Sequence, residues 1–218
     1  MIFHTQFKCR TAYSKIPPRA LNSTLTAVTA KRFSIAEYHR LAELGFFDFD
    51  RRFELIRPEI IKMAAKGRLH SVCNSRMFGK LYSLLEERAI VRGQEPIILS
   101  DSEPEPDVVI VRNRSDDYVS SHPLAADVLL VIEVSDSTLK YARTTKLSLY
   151  AESAIADYWL FNLVDIQLEM YSEPDQKQTG GFDYRVKRVV LANEVVVIPG
   201  FPELSLNLSA IFPAQMRQ

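Results

Sequence analysis

An acidic residue interrupts an otherwise unbroken apolar run, Val128-Leu129-Leu130-Val131-Ile132-Glu133-Val134. A continuous Val/Leu/Ile segment reads as a strand covered on both faces. An unpartnered carboxylate buried there would cost several kcal/mol or stay protonated, so Glu133 demands a cation, a metal ion or a dense set of donors. A second acid stands upstream, where Glu103-Pro104-Glu105-Pro106-Asp107 leads directly into Val108-Val109-Ile110-Val111. If the two apolar segments pair as antiparallel neighbours, Asp107 and Glu133 stand opposite each other on one face. Like charges so placed repel. A divalent cation between them turns the repulsion into a site, and hard carboxylate oxygens suit magnesium or manganese.

The next element can supply a base or a charge stabiliser. Ser135-Asp136-Ser137-Thr138 offers good N-cap residues, and Leu139, Leu147, Tyr150 and Ala151 are spaced for a helix over Leu139 to Glu152. Lys146 lies about two turns into it, close enough to reach back towards the carboxylates. A lysine beside an activated water can orient the nucleophile and offset charge developing on a phosphate.

Phe53-Glu54-Leu55-Ile56, Pro106-Asp107-Val108, Ile132-Glu133-Val134-Ser135, Lys146 through Tyr150 and Asp157-Tyr158-Trp159-Leu160 together resemble the Uma-type restriction endonucleases of bacteria. That group belongs to the PD-(D/E)xK nuclease superfamily. The resemblance runs from about Arg32 to Pro213. It implies an α/β fold with a restriction-endonuclease-like core, a mixed sheet flanked by helices. It also implies Asp107 and Glu133 as metal ligands and Glu54 as an auxiliary carboxylate. Lys146 would be the superfamily lysine moved from strand to helix, because Ser135 holds the position two after Glu133. Two positions depart from the pattern. Ala142 stands four residues before Lys146, where Asp is usual, and Arg57-Pro58-Glu59 occupies a turn that usually carries Gly. Proline fixes φ near −65° and is unsuited to a turn position with positive φ.

Taken one by one, these residues also have plainer readings. Asp107 fits a solvated strand-starter after proline, Glu54 a half-exposed alternating strand, and Lys146 an ordinary helical lysine. Other chemistry fares worse. Cys9 and Cys73 are too few and too distant for a structural zinc motif or a disulfide framework. His4, His39, His70 and His122 lack metal-ligand spacing; His70, near the start of a long helix, could approach the acidic site or simply cap and pack, and packing is the favoured reading. There is no P-loop, no dinucleotide fingerprint and no serine-hydrolase elbow.

The elements that must hold this site fit one domain. The chain has 218 residues, an apolar share of 47% and a formal net charge of zero. Attraction to nucleic acid must therefore come from local clusters: Arg51-Arg52, Lys62-Lys66-Arg68, Lys140-Arg143-Lys146 and Arg185-Lys187-Arg188. No apolar run approaches the length of a membrane span. No acid precedes Glu37, and Pro17-Pro18 argues against a helix through the start. Residues 1–31 thus read as a flexible leader, 32–213 as the domain and 214–218 as a tail.

Ser34-Ile35-Ala36-Glu37 is a capping-box pattern opening a helix to about Leu44. Then come strands Phe53–Arg57 and Ile60–Met63, and a helix Leu69–Arg88 with Val72, Leu81, Leu84 and Leu85 inward. Strands follow near Ile90–Arg92, Ile97–Leu99, Val108–Arg112 and Val128–Ser135. After the Lys146 helix come Tyr158–Asn162, Gln167–Tyr171, Tyr184–Leu191 and Val195–Ile198, with Gly180-Gly181 as a loop. Trp159 and Tyr158 read as core. The expected activity is Mg²⁺- or Mn²⁺-dependent hydrolysis of DNA phosphodiesters by a cytoplasmic protein, with a homodimer suited to double-strand cutting. The alternative is a catalytically impaired nucleic-acid-binding or assembly protein on the same fold.

Overall fold

Alternation between two apolar faces builds the central sheet. The computed structural model describes residues 29–47 and 52–213. Arg51, most of the expected leader and the expected tail fall outside the described residues. The elements lie in one contact unit that begins at Arg32. Six strands form the main sheet in the order β3-β4-β5-β6-β7-β8: Ile90–Gly93, Val108–Val111, Val128–Ser135, Asp157–Asn162, Gln167–Gln176 and Phe182–Leu191. β5 and β6 run parallel and every other neighbouring pair is antiparallel, so the sheet is mixed.

Each face carries its own core. Val108, Ile110, Leu130, Ile132, Trp159 and Phe161 pack towards helix α2, Arg68–Leu85, with Cys73, Met77, Leu81 and Leu85. Val109, Val111, Val131, Tyr158 and Leu160 face the segment that follows β5, with Leu147, Leu149 and Tyr150. Period-2 alternation in buried strands assigns one parity to each side. Full burial of such a side chain contributes about 1.5–3 kcal/mol. Tyr158 and Trp159 are both completely buried, as expected of core residues.

Several expected details change. The capping box at Ser34 and Glu37 forms and opens α1, Ile35–Glu43. In α2 the inward stripe is shifted: His70, Cys73, Asn74, Met77, Leu81 and Leu85 are buried, whereas Val72 is 40% exposed and Leu84 only partly buried. The apolar count placed Val72 inside, but the i, i+3, i+4 row through Cys73 and Met77 sets the face. Ile97–Leu99 makes no strand; Ile98 forms a lone bridge to Leu124. The helix after β5 is not uniform. A turn of α3, Leu139–Tyr141, passes into a π-helical segment, Ala142–Lys146, and then into α4, Leu147–Glu152. π-helical stretches inside helices are frequent at functional sites, and this one ends on Lys146. A further hairpin pairs β9, Val195–Ile198, with β10, Phe201–Asn207, a strand masked in sequence by Pro202 and alternating polar residues.

β1, Phe53–Ile56, and β2, Glu59–Lys62, form a separate hairpin in regular register. Its turn residues Arg57 and Pro58 both lie at positive φ, 48° and 35°. The hairpin thus keeps its geometry, and the proline carries the strain. Relief of that strain is expected to outweigh the conformational entropy that the unfolded chain gains when the ring is removed. Pro58→Gly is therefore expected to stabilise the protein by about 1 kcal/mol. A thermal melt would show it as a rise of roughly 2–4 °C. An unchanged or lower Tm would mean the turn does not hold Pro58 at positive φ.

Candidate functional site

The antiparallel register of β4 and β5 pairs Val108 with Ile132 and Val109 with Val131. Extended by one residue, it sets Asp107 across from Glu133 on one face. The two strands also clasp each other there, since the Val134 N–H donates to Asp107 Oδ2 at 2.9 Å. Glu54 arrives from the β1 hairpin, which docks on the Ser102–Glu105 segment. The Glu103 N–H donates to the Leu55 carbonyl at 2.7 Å and the Arg57 N–H to Ser102 Oγ at 2.8 Å. The half-exposed reading of Glu54 fails on this docking, which leaves the residue 1% exposed.

Lys146 ties the acids together. Its Nζ lies 2.6 Å from Glu54 Oε2 and 3.2 Å from Glu133 Oε1, and its side chain is almost wholly buried. The Tyr150 hydroxyl donates to the same Glu133 oxygen at 2.7 Å. Among the described residues, Glu133 Oε2 has no hydrogen-bond partner. Ala142 is buried, and its carbonyl accepts a hydrogen bond from the Tyr158 hydroxyl at 3.2 Å. The lysine is thus held by two carboxylates without an aspartate at position 142.

Lys66 and His70 hold Asp107. Lys66 Nζ is 3.0 Å from Oδ1, and His70 Nε2 is 3.0 Å from Oδ2. The reading of His70 as packing is thereby corrected: the inward row of α2 begins with His70, and its ring lies beside the carboxylate. The one available signal was its position one turn ahead of the Cys73–Met77 core row. Arg52 pairs with Glu105 at the pocket rim, at 2.9 Å. The pocket encloses about 470 Å³ including its mouth, and Glu54, Lys66, His70, Asp107 and Glu133 line it.

The electrostatics are uneven. Burial pushes the Asp107 pKa up, but the hydrogen bond and charge of His70, the charge of Lys66 and the Val134 N–H outweigh it and hold the value at about 2. Glu133 is raised above the ordinary carboxylate range by burial; Lys146 opposes the rise, while the charges of Asp107 and Glu54 add to it. For Lys146, burial lowers the pKa, yet Glu133 and Glu54 more than reverse this and keep it cationic. Glu54, Asp107 and Glu133 are thus met by Lys146, Lys66 and His70. Among the described residues, no cluster of three or more His, Cys, Asp or Glu side chains is arranged to hold a metal by itself. The hard oxygens of Asp107 and Glu133, with Glu133 Oε2 still unengaged, do fit a divalent ion completed by water or substrate oxygens.

Asp107 also carries a pH signature. Its folded pKa is depressed from the ordinary 3.8 to about 2. It therefore contributes stability above pH 3.8, and that contribution is lost as pH falls through the folded value. Asp107→Asn is expected to lower metal-free stability near neutrality by about 2 kcal/mol and to flatten the loss between pH 4 and 2. Urea melts with a chelator present at several pH values would test this. An acid limb unchanged in the variant would mean Asp107 is not the carboxylate responsible.

A second buried acid lies outside the pocket. Glu169 on β7 is fully buried and takes hydrogen bonds from the Arg143 guanidinium, Asn162 Nδ2 and the Tyr171 hydroxyl, with Lys187 Nζ at 2.8 Å. Burial would raise its pKa, but these partners hold it well below the usual carboxylate range. Through Arg143 it fastens the π-helical segment to the sheet.

Residues 35–209 match the family described as "Uma2: Putative restriction endonuclease". The chain belongs to that family. The fold is also similar to that of a solved structure. The "Crystal structure of a putative nuclease belonging to DUF820 from Anabaena variabilis ATCC 29413" aligns with a TM-score of 0.64 and 17% identity, covering 83% of this chain and 97% of that one. No curated protein matches. At that identity the solved structure speaks for the shared fold. The family, with the fold, supports a nuclease-like protein with a nucleic-acid substrate. No described helix is long and apolar enough to cross a membrane.

Proposed function

We propose that this Uma2 protein is a divalent-metal-dependent endonuclease that hydrolyses DNA phosphodiester bonds. The observation that carries the reading is the convergence of Glu54, Asp107 and Glu133, drawn from three separate segments, on the lining of one pocket, with Lys146 paired to Glu54 and Glu133. Asp107 and Glu133 would hold Mg²⁺ or Mn²⁺, which when bound polarises a phosphate and makes water more acidic. Lys146 Nζ, cationic and fixed between Glu54 and Glu133, orients the attacking water and offsets charge on the phosphate oxygens. Glu54 holds that ammonium in place. Lys66 and His70 orient Asp107. The water oxygen bonds to phosphorus as the ester P–O bond breaks, and the departing oxygen takes up a proton.

The rival reading, a catalytically impaired nucleic-acid-binding or assembly protein, rests on Ala142 and on the formal net charge of zero, and the first of these is tested by the site. It weakens because Lys146 is held by Glu54 and Glu133 themselves. The deciding assay incubates supercoiled and linear DNA with the protein and Mg²⁺ or Mn²⁺, against a chelator control. Cleavage that needs the metal supports the endonuclease; retention of DNA without cleavage under either metal supports the rival. Cutting both strands calls for two sites, so we assign a homodimer, which a strict monomer in analytical ultracentrifugation would exclude. The proposed setting is the cytoplasm.

A further inference from the structure

A second open pocket of about 550 Å³ lies where the Gln94 N–H meets the Asp107 carbonyl. Asn74, Ser75 and Phe78 of α2 line it, with Gly93 and Gln94 from the end of β3. Asn74 is 8% exposed, and its Oδ1 is buried with no hydrogen-bond partner among the described residues. A buried amide oxygen left unpaired costs about 1–3 kcal/mol, so its presence on a pocket wall points to a ligand that donates to it. Gln94 adds a second amide at the mouth. Its backbone N–H is bonded to the carbonyls of Pro106 and Asp107, each at 3.2 Å, which fixes it directly beside the candidate catalytic strand. The Phe78 ring packs against Gly93, where a Cβ would stand 3.0 Å from it. Phe78 in turn stacks with Tyr82, a ring 65% exposed, at 6.2 Å and 17°.

An aromatic wall with two amides is the chemistry that receives a nucleobase. The ring face stacks, and an Asn or Gln amide both donates to and accepts from a base edge. Adenine fits this pattern best, offering an amine donor beside a ring-nitrogen acceptor. Asn74 sits one helical turn, about 5.4 Å, beyond His70, which touches Asp107. A base seated there would thus belong to a nucleotide close to the phosphate in the acidic pocket.

We infer that Asn74 and Gln94, with Phe78, form an adenine-reading subsite that gives this nuclease a base preference next to the scissile phosphate. The inference rests on the DNA-cleaving reading only in taking DNA as the ligand. The test is selection of a random-sequence DNA pool on the full chain with Ca²⁺, followed by sequencing, for the parent, Asn74→Leu and Gln94→Gly. Gln94 lies at φ 58°, where glycine is unstrained, so the second variant keeps the fold even if the first does not. The parent should enrich adenine at one position. Each variant should lose that enrichment about tenfold while total DNA retention changes less than about threefold, because phosphate contacts carry most of the affinity. A parent without base preference, or a preference unchanged in Gln94→Gly, overturns the subsite. The same pool treated with Mg²⁺ separates the two claims: enrichment lost in the variants, with no cleavage by the parent, keeps the subsite and rejects the catalysis.

Discussion

Replacing Glu133 by glutamine is expected to reduce metal-dependent DNA cleavage by about 10²–10³-fold while leaving the protein folded. The first half follows from charge. Glutamine keeps the shape and one acceptor oxygen but withdraws the negative charge with which Glu133 would help hold a divalent ion. The second half follows from where the charge sits. The Glu133 pKa is raised by burial and by the neighbouring carboxylates Asp107 and Glu54, despite Lys146. A carboxyl group whose folded pKa lies above its unfolded value loses stabilisation as pH rises between the two, and stays so at neutral pH. Removing that carboxylate removes the loss, and Lys146 keeps Glu54 as its partner. The variant's Tm at pH 7 should therefore equal or exceed the parent's. Circular dichroism melts and a nicking assay on the same preparations give both readings. Full activity in the variant would remove Glu133 from the chemistry; lost activity with a fallen Tm would mean the carboxylate is structural.

Sequence and structure agree where a single physical constraint dominates. Glu133 was conspicuous because a charge inside Val128–Val134 has no cheap explanation, and the antiparallel pairing that sets Asp107 across from it followed from two adjacent apolar segments. The capping box at Ser34 was legible because it depends on residues three positions apart. The pairing of Lys66 with Asp107 was not legible, and that of His70 only as the less favoured of two options. Their approach to Asp107 depends on how α2 lies over β4, and nothing within a few residues of either encodes that distance. Glu169 stayed hidden for the same reason: its partners Arg143, Asn162 and Lys187 come from three elements that meet only once the sheet is assembled. Ile97–Leu99 misled because β-branched residues without a neighbouring strand make only a bridge, and propensity cannot supply the partner.

The larger stability effect belongs to Lys146→Met. Methionine fills much the same volume, so packing changes little, but Glu54 and Glu133 are left close together in a buried site without their shared cation. Removing one member of a buried charge network leaves uncompensated charge and costs about 3–5 kcal/mol at neutral pH. In a domain of this size that lowers Tm by on the order of 10 °C. The sign of the pH response separates this cause from poor packing. With the ammonium gone, nothing opposes the burial and neighbouring charge that already raise the Glu133 pKa, so its carboxyl favours the protonated form in the folded state more strongly. The deficit should then shrink as pH falls towards the unfolded carboxylate range. Glu54→Gln added to Lys146→Met should recover part of the loss at pH 7, because it removes one of the two stranded charges. Cleavage should stay absent in both, since neither restores a cation to orient water. A Tm deficit independent of pH and untouched by the second substitution would show that Lys146 stabilises by its stem alone, and the carboxylate–lysine–carboxylate arrangement would lose its place in the proposed chemistry.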